Sequence, residues 1–197
     1  MYQNFLKPLF DFCGALLLLP LVFLVVIVLS PFIWLTDRGP VFYNAPRTGL
    51  RCQQFKMFKL RSMYVNSPDQ RNVDGSTYNA DDDPRVTPIG RFLRKSSLDE
   101  LPQIINVFLG QMSFVGPRPT MGSKDIRFEE LEGDLKHRFS VKPGITGYAQ
   151  AYFRNSIPQE QKFHWDAYYA DHVTSLLDMK ILLRTVLTVI KKEYIYN

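Results

Sequence analysis

The chain has 197 residues, 46% hydrophobic and 22% charged, with a formal net charge of +5; this accommodates one compact globular domain plus an appendage and excludes two domains of ordinary size. Lys7 and Asp11 cancel, so the whole surplus belongs to residues 37–197. The sequence has no helix-turn-helix, zinc-finger or RNA-binding signature, which sets nucleic acid aside as a partner.

Residues 12–36, FCGALLLLPLVFLVVIVLSPFIWLT, contain no charged side chain. As straight helix the run would extend about 37 Å, long enough to embed in a bilayer. A secretory signal does not fit, because the run is too long, Lys7 is the only basic side chain before it, and no small-x-small cleavage site follows. Pro20 lies inside the run and removes a backbone donor, so a break is expected there, with Ser30-Pro31 a second one nearer the exit. Hydropathy leaves two topologies open: a kinked spanning helix, or a bent helix that returns to the same face. A basic domain held beside a bilayer suits anionic lipid head groups and phosphorylated substrates.

Residues 40–61, PVFYNAPRTGLRCQQFKMFKLR, predict a β-hairpin turning around RTG, with Phe55, Met57 and Lys59 on one face and Lys56, Phe58 and Leu60 on the other. Residues 66–84 are polar and rich in turn formers, which predicts a long loop, and the acidic run 81–83 reads as a solvated stretch rather than a metal site. IGRFLRK (89–95) predicts a short basic amphipathic helix, and a second helix opens near Ser97 with Leu98, Leu101, Ile105 and Phe108 at helical spacing. FVGPRP (114–119) and KPGITG (142–147) read as rigid turns flanking a charged helical stretch near 124–139. Two helical patterns close the chain; the last pairs an apolar stripe with Lys180, Arg184, Lys191 and Lys192, which suits a membrane surface or the domain core equally. The fold class is therefore α/β, mainly helical with a small β-hairpin. Cys13 in the apolar run and Cys52 outside it do not suggest a disulfide, in keeping with a reducing compartment, and His137, His164 and His172 lack metal-ligand spacing.

Asp99 and Glu100, in KSSLDELPQIINVF (95–108), admit two explanations. Ser97-x-x-Glu100 matches a capping box, and acids in a first turn complement the helix dipole, although Pro102 fits that register poorly. Alternatively, Arg91, Arg94, Lys95 and Arg118 surround the pair with positive charge, which favours an ionised carboxylate ready to attack phosphorus while its neighbour holds Mg²⁺.

The chain resembles the monotopic phosphoglycosyl transferases, bacterial sugar transferases that start glycan assembly on a polyprenol phosphate. The motifs that carry the resemblance are FLKPLFDF, GPVFYNAPRTG, FKMFKLRSM, DPRVTPIGRFLRKSSLDELPQIINVFLGQMSFVGPRP, KPGITGYAQ and LLDMKIL, spread over nearly the whole chain. The resemblance implies a re-entrant helix in residues 1–36 that enters and leaves on the cytoplasmic face, and a catalytic domain in 37–197 at the bacterial inner membrane. It implies that Asp99 attacks the β-phosphorus of a UDP-sugar, expels UMP and carries the phosphosugar until polyprenol (undecaprenyl) phosphate takes it, and that Glu100 is the Mg²⁺-binding acid. Lys59, Arg118 and Asp166 match active-site positions, and Arg61 and Arg91 join them as candidate substrate-binding residues. Tyr148 and Phe153-Arg154-Asn155 depart from the family's commoner Trp and Gly-Arg-Asn, which bears on donor selectivity. Anionic membrane lipids are the further expected partner, and a homodimer is left open. The rival enzyme reading is a membrane-associated Mg²⁺-dependent phosphohydrolase of lipid or nucleotide pyrophosphates.

Overall fold

A computed structural model of the chain describes residues 1–70, 78, 80, 82–122, 126–154 and 156–191. Asp81, Asn155, Lys192, residues 124–125 and the side chain of Lys191 lie outside the described residues.

The apolar N-terminal run forms helix α1, Lys7–Asp37, preceded by a wider helical turn over Tyr2–Leu6. Together they make the one helix among the described residues that is long and apolar enough to cross a membrane. Its buried positions are Asp11, Ala15, Val22, Leu29 and Ile33. These recur at intervals of four and seven, which places them on one side of the helix. Ala15 and Val22 pack with Met57, Ile104, Val107 and Met112, while Leu29 and Ile33 pack with Leu60 and Leu93. The opposite side leaves Leu17, Phe23, Leu24, Ile27 and Phe32 exposed.

Helix α1 is helical on both sides of Pro20 and of Pro31, so a bend at Pro20 is a kink within one helix and not a gap between two. The missing proline N–H removes one hydrogen bond, and Ala15 and Val22, one on either side of Pro20, dock into the same cluster. Each end of the helix is also fastened to the domain. Lys7 Nζ lies 2.6 Å from Asp178 Oδ2, and Arg61 Nη1 lies 2.5 Å from Asp37 Oδ2. Arg38, in the left-handed region at φ 55°, ends α1 while its N–H donates to the Trp34 carbonyl.

The expected hairpin is present. Strands β1 (Ala45–Thr48) and β2 (Gln54–Met57) pair antiparallel, with Ala45 opposite Met57 and Thr48 opposite Gln54. Helix α2, Pro88–Lys95, starts where sequence expects, with Pro88 in its first turn and Thr87 Oγ1 accepting the Gly90 N–H at 2.9 Å. The acidic run before it is not a solvated face at Asp83, which is fully buried. Arg85, two residues on, donates to Asp83 Oδ1 and Oδ2 and also reaches the Pro68 and Tyr78 carbonyls, so the acid closes one end of the long loop.

Beyond α2 come α3 (Gln103–Phe108), β3 (Ser113–Val115), β4 (Thr120–Met121), α4 (Gly133–Arg138) and β5 (Gly144–Thr146), then α5 (Tyr148–Tyr152), α6 (Gln159–Asp171) and α7 (Ser175–Lys191). Strand β4 joins the hairpin to give the order β2-β1-β4. The charged stretch expected to be one helix is split into a short 3₁₀ turn, Phe128–Glu130, and α4.

Two segments read as turns are in fact paired strands: β3 and β5 run parallel, with Ser113 opposite Gly144 and Val115 opposite Thr146. The glycines make this pairing fit. A Cβ on Gly116 would run into the Lys142 carbonyl, and one on Gly147 into the Gly116 carbonyl. Around this pair Val115, Val141, Tyr169, Ala170 and Ile181 form a further core cluster. Helix α7 packs on the core through Asp178 and Ile181, while Leu176, Met179, Leu183 and Leu187 face outward.

Candidate active site

The acid pair sits on a 3₁₀ turn, Leu98–Glu100, between α2 and α3. Ser97, at φ 56°, occupies the left-handed region and its side chain caps nothing, so the capping-box explanation does not hold. Helix α3 begins only at Gln103, after Pro102, whose ring cannot sit deeper in a helix. Freed from capping, the two carboxylates face a lysine. Lys59 Nζ is 2.8 Å from Asp99 Oδ2 and 3.3 Å from Glu100 Oε1, and Arg118 Nη2 reaches that same Glu100 oxygen at 3.2 Å.

The Lys59 backbone is held on three sides. Phe58 N–H donates to Asn106 Oδ1 at 2.9 Å, Tyr43 N–H to the Lys59 carbonyl at 2.9 Å, and Leu60 N–H to the Asp99 carbonyl at 2.9 Å. Asp99 thus meets this strand extension twice, through its main chain and through its carboxylate. Asn106, fully buried on α3, also donates to the Lys56 carbonyl at 2.8 Å and to Gln111 Oε1 at 2.7 Å.

Arg118 is presented by the turn that follows β3, between Pro117 and Pro119. Gly144 N–H donates to the Pro117 carbonyl at 2.9 Å, and Arg138 Nη2 donates to the Arg118 carbonyl at 3.0 Å. From the same nitrogen Arg138 reaches Asp166 Oδ2 at 3.0 Å, both groups being buried, and its guanidinium lies between the rings of Phe163 and Phe139. Arg138 therefore links Asp166 to the Arg118 turn. A crevice lined by Thr48, Gly49, Arg118, Arg138 and Phe139 opens beside it.

Electrostatics keep the acid pair's surroundings charged. Burial pushes the Glu100 carboxyl up, but the Lys59 and Arg118 charges pull it down further, to about 2. Burial pulls the Lys59 ammonium down, and the Glu100 and Asp99 charges outweigh it, so its pKa is raised. For Asp166 burial wins over Arg138 and lifts its pKa to about 6. The Asp99 side chain is only 4% exposed, yet it lies just beneath an open charged rim, with Lys59 and Glu100 about one-fifth exposed and Arg118 58% exposed.

The structure brings Lys59, Asp99, Glu100 and Arg118 together and connects Asp166 to them through Arg138. It places the other two candidates elsewhere. Arg61 is buried beneath the end of α1, committed to Asp37 and to the Pro40 and Ile33 carbonyls. Arg91 stands exposed on α2. Two residues of the site were not singled out from sequence, Arg138 and Asn106. A signal for Arg138 was its position one residue before Phe139, just ahead of KPGITG; Asn106 carried none, being one polar residue in an apolar helix.

The two carboxylates fit a divalent cation such as Mg²⁺, which is bound through one or two carboxylates while substrate phosphates and water complete its oxygen shell. Glu100, the more exposed acid, would be the side chain to hold it.

The family model described as bacterial sugar transferase matches residues 2–192. The UDP-galactose-lipid carrier transferase of Erwinia amylovora is 37% identical over 205 residues, covering 98% of this chain and 42% of that protein. The uncharacterized sugar transferase EpsL of Bacillus subtilis is 39% identical over 188 residues, covering 95% of this chain and 89% of that protein. The UDP-glucose:undecaprenyl-phosphate glucose-1-phosphate transferase of Xanthomonas campestris pv. campestris is 40% identical over 167 residues, covering 82% of this chain and 34% of that protein. The chain thus spans nearly all of the Bacillus relative and less than half of the other two.

Proposed function

The chain belongs to the bacterial sugar transferase family, and on that premise we propose that it is a phosphoglycosyl transferase moving a phosphosugar from a UDP-sugar to polyprenol phosphate. The observation that carries this reading is a pair of consecutive carboxylates sharing one lysine under a charged rim, on a domain fastened to a membrane-length apolar helix.

In the first half-reaction an Asp99 carboxylate oxygen attacks the β-phosphorus of the donor. A carboxylate O–P bond forms, the bond from that phosphorus to the bridging oxygen breaks, and UMP leaves with the bonding pair. Arg118, exposed at the end of a stiff turn, and Lys59 bind the phosphoryl oxygens and offset their charge. Glu100 would hold a Mg²⁺ ion, which when bound would supply charge shielding between the two anions. In the second half-reaction a phosphate oxygen of polyprenol phosphate attacks the same phosphorus, and the Asp99 carboxylate is the leaving group. Asp166 and Arg138 act at one remove, fixing the Arg118 carbonyl and so the turn.

Helix α1 supports a re-entrant placement at the cytoplasmic face of the bacterial inner membrane. One side of it packs on the domain from Asp11 to Ile33, and ion pairs join both of its ends to that domain. A helix of 31 residues extends about 46 Å, so carrying it straight across a bilayer would drag the polar domain into the hydrocarbon. Both ends therefore stay on the side of the domain, the outward Phe and Leu side chains meet the lipid, and the basic surface suits anionic head groups.

The test is a panel of UDP-sugars scored for UMP release with and without polyprenol phosphate. Release sustained only with the lipid acceptor is expected. Sugar phosphate set free at full rate without it would assign a phosphohydrolase instead.

A further inference from the structure

Lys59 occupies the position a metal-bound acid pair would leave for a cation. Its Nζ lies 2.8 Å from Asp99 Oδ2 and 3.3 Å from Glu100 Oε1, and Arg118 adds a second positive charge on Glu100 Oε1 at 3.2 Å. A divalent ion reaching this pair must displace an ammonium already bonded to both carboxylates. It also finds few ligands there, since no cluster of three or more carboxylate, histidine or cysteine side chains forms among the described residues. Mg²⁺ in such a setting takes its remaining oxygens from substrate phosphates and water.

The lysine is built to move without the strand that bears it. The hydrogen bonds of Phe58, Lys59 and Leu60 to Asn106, Tyr43 and Asp99 fix the main chain, while the side chain, 21% exposed at the rim, is a flexible four-carbon stem. A diphosphate arriving beside Arg118 offers that ammonium a new anionic partner.

We propose that Lys59 is the resident counter-ion of the acid pair, and that a divalent cation joins Glu100 only together with a nucleoside diphosphate, which supplies the missing ligands and draws the lysine off Asp99. The nucleophile is then masked in the donor-free enzyme and unmasked by its own substrate. The inference rests on the transferase reading for the identity of that diphosphate.

The experiment is Mn²⁺ titration followed by electron paramagnetic resonance on the full chain in detergent micelles, with and without UDP. Wild-type protein alone is expected to bind Mn²⁺ at least about tenfold more weakly than Lys59→Met, which keeps the stem and loses the charge. UDP, referenced to Mn²⁺–UDP without protein, should tighten Mn²⁺ on the wild type more than on Lys59→Met. Adding Glu100→Gln to Lys59→Met should abolish the gain. Equal affinities of wild type and Lys59→Met without nucleotide, or an equal effect of UDP on both, would overturn the proposal. Should Lys59→Met not fold, Lys59→Gln takes its place, judged by the same criteria after its melting curve shows a folded protein. The outcomes separate from those of the transferase reading: UMP release without a Lys59-dependent gain overturns this inference alone, and the gain without any UDP-sugar turnover overturns only the reading beneath it.

Discussion

Lys7 and Asp178, 171 positions apart, form an ion pair of 2.6 Å that ties the start of the apolar helix α1 to α7. The same carboxylate accepts from Tyr2 Oη at 2.7 Å, and its other oxygen accepts from the buried Tyr169 hydroxyl at 2.7 Å. Burial and the Asp178 charge raise the Tyr169 pKa far above the phenol's ordinary value, so Tyr169 stays a donor at any working pH. Its oxygen also lies 3.0 Å from the Val115 carbonyl, three residues before Arg118. Asp178→Asn should lower stability by about 2–3 kcal/mol, because Lys7 is left without its partner in a mostly buried position. The thermal midpoint in detergent checks this, and an unchanged midpoint would contradict it.

Asn106→Ala removes three side-chain hydrogen bonds and orphans the Phe58 N–H and the Lys56 carbonyl. The expected cost is about 2–4 kcal/mol, or roughly 6–12 °C in melting temperature. Because Phe58 directly precedes Lys59, donor turnover measured well below the new midpoint should fall as well. Asn106→Ala at wild-type turnover would show that the lysine needs no such support.

Asp166 sets a pH dependence of defined sign. Its carboxyl is lifted to about 6 in the fold, above the ordinary 3.8. The folded state therefore binds the proton more tightly than the unfolded chain does. That contribution is fully present below about pH 3.8 and is lost as pH rises through about 6, on the order of 3 kcal/mol in all. Melting curves of wild type and Asp166→Asn between pH 4 and 7 should show the wild type losing ground to the variant as pH rises. A constant difference across that interval would contradict the assignment.

Much of this arrangement is legible in the sequence because it depends on local pattern. The uncharged run gives α1, alternation gives the β1–β2 hairpin, and the amphipathic pattern of IGRFLRK gives most of α2. Asp99, Glu100 and Arg118 stand out as charges set beside stiff or apolar segments, whereas Lys59 is reached only through the family resemblance. What escapes is decided by contacts between distant residues. Strands β3 and β5 have three residues each and hide inside glycine- and proline-rich stretches that look like turns, and only the close approach of Gly116 to Gly144 and Gly147 reveals them as a pair. Pro20 is a helix breaker by local rule, yet the chain is helical on both sides of it, where Ala15 and Val22 share one cluster. Arg61 and Arg138 are both arginines in basic segments; burial beneath α1 commits one to Asp37, and stacking between Phe163 and Phe139 directs the other to Asp166 and the Arg118 turn. No periodicity distinguishes them.

Asp99 as a covalent carrier is the central claim, and intact-mass analysis under single turnover tests it most directly. Enzyme mixed with its UDP-sugar, without polyprenol phosphate, should release UMP once and gain the mass of one phosphosugar, located by peptide mapping to residues 95–108. Asp99→Asn, isosteric with the native side chain, should fold, bind membranes and gain nothing. Release of UMP with no mass gain, or an adduct that persists in Asp99→Asn, would contradict the account.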